Sequence, residues 1–376
     1  MQSGWLRSRG PGLALWQAHA VAVRATAFVA RSHVPGLRLL SDGAPPVSVA
    51  STEQRKASPA DSGSGKGAAA ATLTELPAIY FEVGKGKLSA LVTLTAAAGY
   101  AMAVPVGAPI MWDMLAITSG GTMLAAMSAS AFNQVIERDN DRRMTRTAKR
   151  PLVMGKISPL HGYTAASLAG VGGVALLALQ INPVVAALGA ANIGLYTSVY
   201  TPMKQQTHWN TWMGAVVGAI PPIMGWAAVT GDVGIGALLM GGVLFSWQMP
   251  HFLSLAYMMR NDYKAGGYVM LPGEAGSSSL SRATKAAMRH SIYLQVLCAA
   301  APVLGMTDAV FVAEASLLNG GLLYLSYQFH NHGAAGNQVW YKWVNQSFAL
   351  EHAVSLRLSL PLGLHAAIPR VYRIVC

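Results

Sequence analysis

Eight apolar segments follow one another between residues 88 and 328, and they constrain the fold more than any other feature of the chain. Each is close to the ~20 residues that an α-helix needs to cross a bilayer. The sequence therefore predicts an all-α polytopic membrane protein. The expected helices lie at roughly 88–106, 110–133, 158–180, 183–201, 210–230, 234–258, 287–306 and 308–328.

The composition agrees with a membrane protein. Only 11% of the 376 residues are charged and 53% are hydrophobic, whereas about a quarter of the residues in a soluble domain are charged. The net charge of +12 does not require nucleic acid, because the basic residues lie in the N-terminal segment and in short loops, where targeting and orientation explain them. Cys298 and Cys376 are the only cysteines, so no disulfide framework is expected.

The two ends of the chain differ from its apolar middle. Residues 1–41 hold five arginines and no acidic residue, a composition typical of an organellar transit peptide. Residues 42–78 are largely rich in Ala, Ser, Gly and Pro, which predicts a disordered linker. The transmembrane domain then covers 79–333, and residues 334–376 form a divergent C-terminal tail.

The charges of the loops predict the orientation of the helices. Nearly all loop Lys and Arg follow the second, fourth and sixth helices: seven in 134–157, Lys204, and five in 260–289. An even number of crossings separates these connections, so they share one face. Lys85 and Lys87 precede the first helix on the same face. The positive-inside rule assigns this face to the matrix side or its equivalent.

The connection after the second helix begins with closely spaced oxygen-bearing side chains. Asn133, Glu137 and Asp141 are four residues apart, so on a helix they lie along one face. Asp139 lies off that face and joins the others only if the helix ends before it. Three such side chains at a membrane edge suit a hard cation such as Mg²⁺.

Arginines follow these acids directly. Arg142, Arg146 and Arg150 could bind the phosphates that a divalent cation bridges. The plainer interpretation is a solvated, positive-inside loop. A loop that only sets topology needs no Asn133 and no acids, which favours a metal–phosphate site.

A second polar cluster lies at the end of the sixth helix. Trp247, Gln248 and His251 surround Pro250, which is expected to break or kink the helix. A histidine within a membrane segment is a site candidate, although an interhelical hydrogen bond is an equally plain role. Asp262 and Tyr263 follow. Asp262 is either an ordinary loop acid or a metal ligand, and as a ligand it would correspond, in the second half of the helical region, to Asp141 in the first half.

Two further clusters complete the candidates. Tyr200 and Lys204 lie on the basic face, where a lysine either sets topology or neutralises a diphosphate. Pro221 and Pro222 precede Trp226 inside the fifth helix, and such prolines either kink a packing helix or line a cavity for an apolar substrate.

Together these motifs resemble the protohaem IX farnesyltransferases (haem O synthases), a branch of the UbiA superfamily of intramembrane prenyltransferases. The resemblance covers about residues 80–330. It rests on Asn133-xxx-Glu137-xxx-Asp141 with Arg146, Arg150 and Pro151 downstream, on Tyr200-Thr-Pro-x-Lys204, on Pro221-Pro-x-x-Gly-Trp226, and on Trp247-Gln-x-Pro-His251-Phe.

The resemblance implies about nine transmembrane helices around a central cavity, with Mg²⁺ as cofactor. The implied metal ligands are Asn133, Glu137, Asp139, Asp141 and Asp262. The implied catalytic residues are Arg146, Arg150, Lys204 and His251. The implied substrate-binding residues are Arg142, Tyr200, Trp226, Trp247, Gln248 and Tyr263.

The resemblance also implies a reaction. Farnesyl diphosphate ionises, a vinyl group of haem B attacks the farnesyl cation, and addition of water gives haem O. Haem O feeds haem A and cytochrome c oxidase, which favours the mitochondrial inner membrane over a plastid membrane. The implied partners are haem B, farnesyl diphosphate and the lipid bilayer, with a haem A synthase as a further candidate.

Three departures from the family pattern leave alternatives open. The second motif usually holds two aspartates four residues apart, but His251 and Asp262 occupy that region here. Gln205 replaces an expected arginine, and the ninth helix would fall in the charged tail near 347–368. The alternatives are a prenyltransferase for a quinone or chlorophyll-type acceptor, and a transporter with a polar site at one membrane face.

Overall fold

A computed structural model describes residues 72, 74–105, 107–273 and 277–332, and the regular elements in this part of the chain are helices. They are α1 (Leu76–Val83), α2 (Gly86–Ala103), α3 (Trp112–Ile136), α4 (Arg138–Arg143), α5 (Pro159–Gln180), α6 (Pro183–Gly194), a π-helical turn (Leu195–Tyr200), α7 (Thr201–Gln206), α8 (Asn210–Thr230), α9 (Ile235–Met258), α10 (Arg260–Ala265), a 3-10 turn (Leu271–Gly273), α11 (Ser277–Ala300) and α12 (Ala309–His332). The predicted transit peptide, most of the predicted linker and the predicted tail with its ninth helix lie outside the described residues.

Each of the eight predicted spans corresponds to one long helix, if α6, the π-helical turn and α7 are taken together. Within the described residues, five helices are long and apolar enough to cross a membrane: Trp112–Ile136, Pro159–Gln180, Pro183–Gln206, Asn210–Thr230 and Ala309–Asn331. The prediction of an all-α polytopic membrane protein is thereby confirmed.

Local sequence signals explain where several helices begin and end. The side chains of Ser158 and Asn182 accept hydrogen bonds from the backbone N–H groups of His161 (3.1 Å) and Val185 (2.9 Å), so each caps the helix that follows. Proline occupies the first position of both helices, where a missing N–H costs nothing. Gly231 ends α8 with a φ of 80°, a conformation that glycine adopts without strain.

One sequence-based expectation about a helix is wrong. The seventh span was expected at 287–306, but α11 covers Ser277–Ala300. Its first turns are polar, yet Ala283 and Ala286 are buried against α9, so packing on one face makes a helix of a segment whose polarity suggests a loop. Of the break or kink expected at Pro250, the structure shows no break, since α9 continues through it.

Five helices form a closed ring around the region that holds the site. Helix α8 packs against α2 and α6, while α3 joins α2 to α5 and α5 returns to α6; from α8 the bundle continues through α9, α11 and α12. The α2 and α8 backbones touch: a methyl group at Gly99 would collide with the Pro222 carbonyl, and one at Gly225 with the Ala96 carbonyl. Such close approach is typical of small residues between membrane helices.

Candidate active site

A cavity of about 330 Å³ is lined by α2, α3, α6, the π-helical turn, α7, α8 and α9 and by the connections that follow α3 and α9. One end is charged, and its lining includes Lys85, Glu137, Asp141, Arg146, Arg150 and Lys204. The other end lies within the bundle, and its lining is mostly apolar: Val92, Ala125, Ile193, Val217, Pro221 and Met224. The lining runs from Thr122 in α3 to Glu137 directly after it. At 1.5 Å per helical residue, this part of the cavity wall is about 22 Å long.

Asn133, Glu137 and Asp141 share one buried face, as their spacing predicts. Helix α3 ends at Ile136, but the N–H of Glu137 still donates to the Asn133 carbonyl (2.9 Å) and that of Asp141 to the Glu137 carbonyl (2.8 Å). The helical register therefore survives the break, and the three side chains are 0%, 3% and 0% exposed. Glu137 and Asp141 line the cavity, whereas Asn133 is fully buried and is not among the lining residues. Asp139 lies off this face, is exposed and is also outside the lining.

Each of these three side chains is held by a cation. Lys204 Nζ donates to Glu137 Oε1 at 2.8 Å, and Arg150 Nη1 to Asp141 Oδ2 at 2.5 Å. Arg150 reaches Asp141 because the chain turns back after α4, where the Thr147 hydroxyl donates to the Asp141 carbonyl (2.9 Å). A buried charge is tolerated only when it is paired in this way.

The third cationic contact was not predicted. Lys85 Nζ donates to Asn133 Oδ1 at 2.7 Å, and Asn133 Nδ2 in turn donates to the Thr201 hydroxyl at 3.2 Å. Thr201 Oγ1 donates to the Tyr196 carbonyl (2.8 Å), a group of the π-helical turn. The amide of Asn133 is therefore fixed from both sides, with its oxygen facing the ammonium.

Three tyrosine rings surround the Lys204 ammonium. Its Nζ lies 4.5 Å from the ring centroid of Tyr200, 5.9 Å from that of Tyr196 and 6.0 Å from that of Tyr268. The π-helical turn brings Tyr196 and Tyr200 together edge to face, with 5.1 Å between their centroids. Helical structure continues through Gln206, beyond the predicted end at 201, and π-helical turns of this kind are frequent at functional sites.

The connection after α9 closes over the charged end and is tied to the connection after α3. Asp262 Oδ1 accepts hydrogen bonds from the Thr145 N–H (2.7 Å) and hydroxyl (2.8 Å), and Asn140 Nδ2 donates to the Gly266 carbonyl (2.7 Å). Asp262 is thus engaged with the loop and is not among the lining residues. Tyr263 does line the cavity, and Arg146 lies 5.8 Å from its ring centroid.

The charged groups of these connections have perturbed pKa values. Burial raises the pKa of the Asp141 carboxyl, and the charge and hydrogen bond of Arg150 offset this only in part. Burial acts in the same direction on Asp262, but the hydrogen bonds from Thr145 together with the backbone N–H and the charge of Arg146 outweigh it and lower the pKa of that carboxyl. Burial and the Glu137 carboxylate raise the pKa of the Tyr268 hydroxyl, so Tyr268 stays protonated at neutral pH.

His251 lies one layer behind the cavity wall. Its ring stacks on Trp247, with 5.2 Å between centroids, and lies 5.4 Å from the ring of Phe252, which lines the cavity. Its Nδ1 is buried and has no hydrogen-bond partner among the described residues. Trp247 packs with Leu294 against α11 rather than on the cavity. The structure therefore places His251 close to the cavity but not in its lining.

The remaining predicted substrate-binding residues fall into different places. Gln248 lines the cavity, and its Nε2 donates to the carbonyls of Ala215 (3.3 Å) and Leu244 (3.1 Å). Trp226 is absent from the lining and packs against Gly236. Arg142 is exposed, also outside the lining.

Lys85, Tyr196 and Tyr268 line the cavity without having been candidates. From the sequence, Lys85 was used only to predict the orientation of the helices. Its two flanking glycines are the local sign of an unusual bend at this position. Tyr268 follows Tyr263 by five residues and comes over Lys204 because the Val269 N–H donates to the Lys204 carbonyl (2.8 Å). Contacts of this kind join distant parts of the chain and leave no local sequence pattern.

The charged end has the donors that a Mg²⁺–phosphate complex needs. Asp141 Oδ1 is buried without a hydrogen-bond partner, so it has a free acceptor position. No group of three or more His, Cys, Asp or Glu that could hold a metal occurs in the described part of the chain. The lining of the charged end has two carboxylates, Glu137 and Asp141, and Mg²⁺ usually takes one or two carboxylates and completes its shell with substrate phosphates and water. The residues therefore fit such an ion.

Comparisons with known proteins agree with this geometry. Protoheme IX farnesyltransferase, mitochondrial, from Homo sapiens is 47% identical over 256 residues, which are 68% of this chain and 56% of that protein. The protein of the same name from Arabidopsis thaliana is 42% identical over 251 residues, 67% of this chain and 58% of that protein. The chain thus spans slightly more than half the length of the curated relatives it matches.

The fold has relatives among solved structures. The structure of a UbiA homologue from Archaeoglobus fulgidus bound to DMAPP and Mg²⁺ superposes with a TM-score of 0.53 at 15% identity, over 74% of this chain and 98% of that chain. This similarity concerns the fold alone. The model of the UbiA prenyltransferase family matches residues 91–346, which is more than half of the sequence, and the chain therefore belongs to the UbiA prenyltransferase family.

Proposed function

We propose that this chain transfers a farnesyl group from farnesyl diphosphate to a vinyl group of haem B and so forms haem O, the precursor of haem A for cytochrome c oxidase. The observation that carries the proposal is a single cavity with one charged and one apolar end. A prenyl diphosphate likewise has one charged end, the diphosphate, and one apolar end, the prenyl chain. The names of the human and Arabidopsis relatives support haem as the acceptor.

The charge of the cavity lining favours a polyanion. Four cationic side chains and two carboxylates line it, a net charge of +2. The cations are Lys85, Arg146, Arg150 and Lys204, and the carboxylates are Glu137 and Asp141. An excess of positive charge in a partly buried cleft attracts an anionic substrate and binds it strongly.

Asn133, Glu137 and Asp141 would hold Mg²⁺, and the Mg²⁺ in the structure of the Archaeoglobus fulgidus homologue supports the use of a divalent ion in the family. When bound, the ion would neutralise charge that develops on the diphosphate as the allylic C–O bond breaks. Asp139 and Asp262 remain predicted ligands. Asp139 is exposed and Asp262 accepts hydrogen bonds from Thr145, so both are less suited to the ion than Asn133, Glu137 and Asp141.

The side chains of the chain itself would act on both parts of the substrate. Lys204, Arg150 and Arg146 stabilise the leaving diphosphate. The apolar walls exclude water from the prenyl chain. The rings of Tyr196 and Tyr200 face a cation in this structure, and such faces also stabilise a developing allylic cation.

The transfer balances without an oxidant or reductant. The π electrons of the haem vinyl group form a bond to C1 of the farnesyl group as the C–O bond to diphosphate breaks. Water then adds to the resulting cation next to the porphyrin and loses a proton. His251, which lies behind Phe252, is the candidate for orienting haem or accepting this proton.

The same proposal includes a cellular location. The relatives carry the word mitochondrial in their names, and haem A is used in the mitochondrial inner membrane. The basic connections that meet at the charged end then face the matrix. A haem A synthase that accepts the product stays a predicted partner.

Turnover by the purified protein tests the proposal. The protein is incubated with haem B, farnesyl diphosphate and Mg²⁺ in H₂¹⁸O, and the haems are analysed by mass spectrometry. Haem O with one ¹⁸O atom, lost on chelation of the metal, is expected. Farnesylation of an aromatic quinone precursor in place of haem B would overturn haem as the acceptor, and no farnesyl transfer to either would overturn the proposal altogether.

A further inference from the structure

Lys85 has an unusual backbone conformation for its residue type. Among the described residues it is the only non-glycine with a positive φ, 48°, and its ψ of 51° places it in the left-handed helical region. A lysine there is strained, because its Cβ comes close to the following carbonyl oxygen. Strain of this kind persists only where the surrounding structure enforces it, and it concentrates at functional sites.

The residues on both sides of Lys85 are closely packed. A methyl group at Gly84 would meet the Met127 side chain, and one at Gly86 would collide with the ring of Phe81. The chain is therefore packed tightly on both sides of the bend that joins α1 to α2. Glycine would meet the backbone requirement at position 85 without strain, so the structure gives no backbone reason for a lysine.

The Lys85 side chain explains its presence. It lines the charged end of the cavity, and its Nζ donates to Asn133 Oδ1 at 2.7 Å. Lys87, two residues later, is exposed and outside the lining. The strained bend thus directs one of two neighbouring lysines into the site.

We propose that Lys85 is a diphosphate-binding residue of this site, held against Asn133 until substrate arrives. The inference rests on the proposed function. Asn133 Oδ1 is the oxygen that would coordinate Mg²⁺, and a divalent ion on that oxygen repels an ammonium group on the same atom. When the metal binds, the Lys85 ammonium would therefore leave Asn133 and donate to oxygens of the diphosphate. Lys85 would then contact the diphosphate from a third side, in addition to Lys204 and Arg150.

Equilibrium binding to the purified full chain tests this assignment. The probes are Mg²⁺ with an unreactive thio analogue of farnesyl diphosphate, and Mg²⁺ with inorganic pyrophosphate. Lys85→Met removes the charge, Lys85→Gly removes the charge and the backbone strain, and Lys87→Met is the matched control. We expect both Lys85 variants to bind both probes roughly 10- to 100-fold more weakly, the effect of losing one charge-assisted hydrogen bond. Lys87→Met should bind like wild type.

Thermal unfolding without ligand separates this role from a structural one. Lys85→Gly should unfold at or above the wild-type temperature, because strain is relieved, and haem B should bind to it with unchanged affinity. Wild-type affinity of both Lys85 variants for pyrophosphate would overturn the assignment while leaving the proposed function intact. Weakened binding of the thio analogue alone would overturn it too, since Lys85 would then contact the prenyl chain. Failure of the wild-type chain to bind either probe would overturn the assignment together with the proposed function.

Discussion

The ammonium of Lys204 lies 2.8 Å from Glu137 Oε1, although 67 positions separate the two residues in the sequence. Both are buried, with 8% and 3% of their surfaces exposed. Glu137 follows α3 and Lys204 lies in α7, so the pair joins two motifs that are unrelated in sequence. Each charge lowers the free-energy cost of burying the other. The pair therefore contributes both to the stability of the ring of helices and to the charge distribution of the site.

Removing one partner of this pair should destabilise the protein. Lys204→Met leaves the Glu137 carboxylate buried without its cation, and we expect a loss of about 3–5 kcal/mol in the free energy of unfolding. The double variant Lys204→Met/Glu137→Gln removes both charges and should regain most of that stability. Thermal unfolding of the detergent-solubilised variants measures both effects. Farnesyl transfer should stay lost in the double variant, and equal instability of the single and double variants would contradict the pairing.

Asp141 should be indispensable to the reaction. Asp141→Asn keeps the shape but removes the charge, and because Arg150 engages the remaining amide oxygen, an NH2 donor takes the place of the free acceptor. We expect turnover to fall roughly 100-fold or more, as for loss of a group that stabilises transition-state charge. Asp232→Asn, an exposed acid between α8 and α9, is the control and should turn over like wild type. Wild-type turnover by Asp141→Asn at limiting Mg²⁺ would contradict its role as a metal ligand.

The close contact of α2 and α8 should not tolerate a side chain at Gly225. Gly225→Ala places a methyl group against the Ala96 carbonyl, and overpacking of this kind costs about 1–3 kcal/mol. Gly172→Ala in α5 is the matched control, because nothing lies within 4 Å of the added methyl group and alanine is the better helix former. A lower unfolding temperature is expected for Gly225→Ala alone. Equal unfolding temperatures of the two variants would rule out the backbone contact.

The apolar end of the cavity should set the length of the prenyl chain. Ala125 lines it, so Ala125→Leu shortens the space available to the last isoprene unit. We expect kcat/KM for farnesyl diphosphate to fall about 10-fold or more relative to that for geranyl diphosphate, as steric changes of this size discriminate substrates. Leu124→Phe, at a partly exposed neighbour outside the lining, should leave the ratio unchanged. An unchanged ratio in Ala125→Leu would place the chain elsewhere.

Much of the fold and part of the site followed from the sequence. Apolar length predicted the helices because a bilayer requires it, and a spacing of four put Asn133, Glu137 and Asp141 on one face. The start of α11 did not follow, because only tertiary packing of Ala283 and Ala286 makes its polar first turns helical. The placement of these two acids and one amide beside three cations also needed the structure.

The contacts of Lys85 and Tyr268 were beyond sequence reasoning for a different reason. Lys85 meets Asn133 across 48 positions, and Tyr268 reaches Lys204 through a loop hydrogen bond. Neither contact has a periodic pattern. Trp226 shows the reverse case, since a residue within a recognisable motif packs against Gly236, away from the cavity.

The most direct test of the central claim is mass spectrometry of haems extracted from cells that lack haem O synthase and express this chain. We expect haem O in these cells, and none in cells that express an equal amount of Asp141→Asn. Haem B without haem O in cells that contain the folded wild-type chain would contradict it.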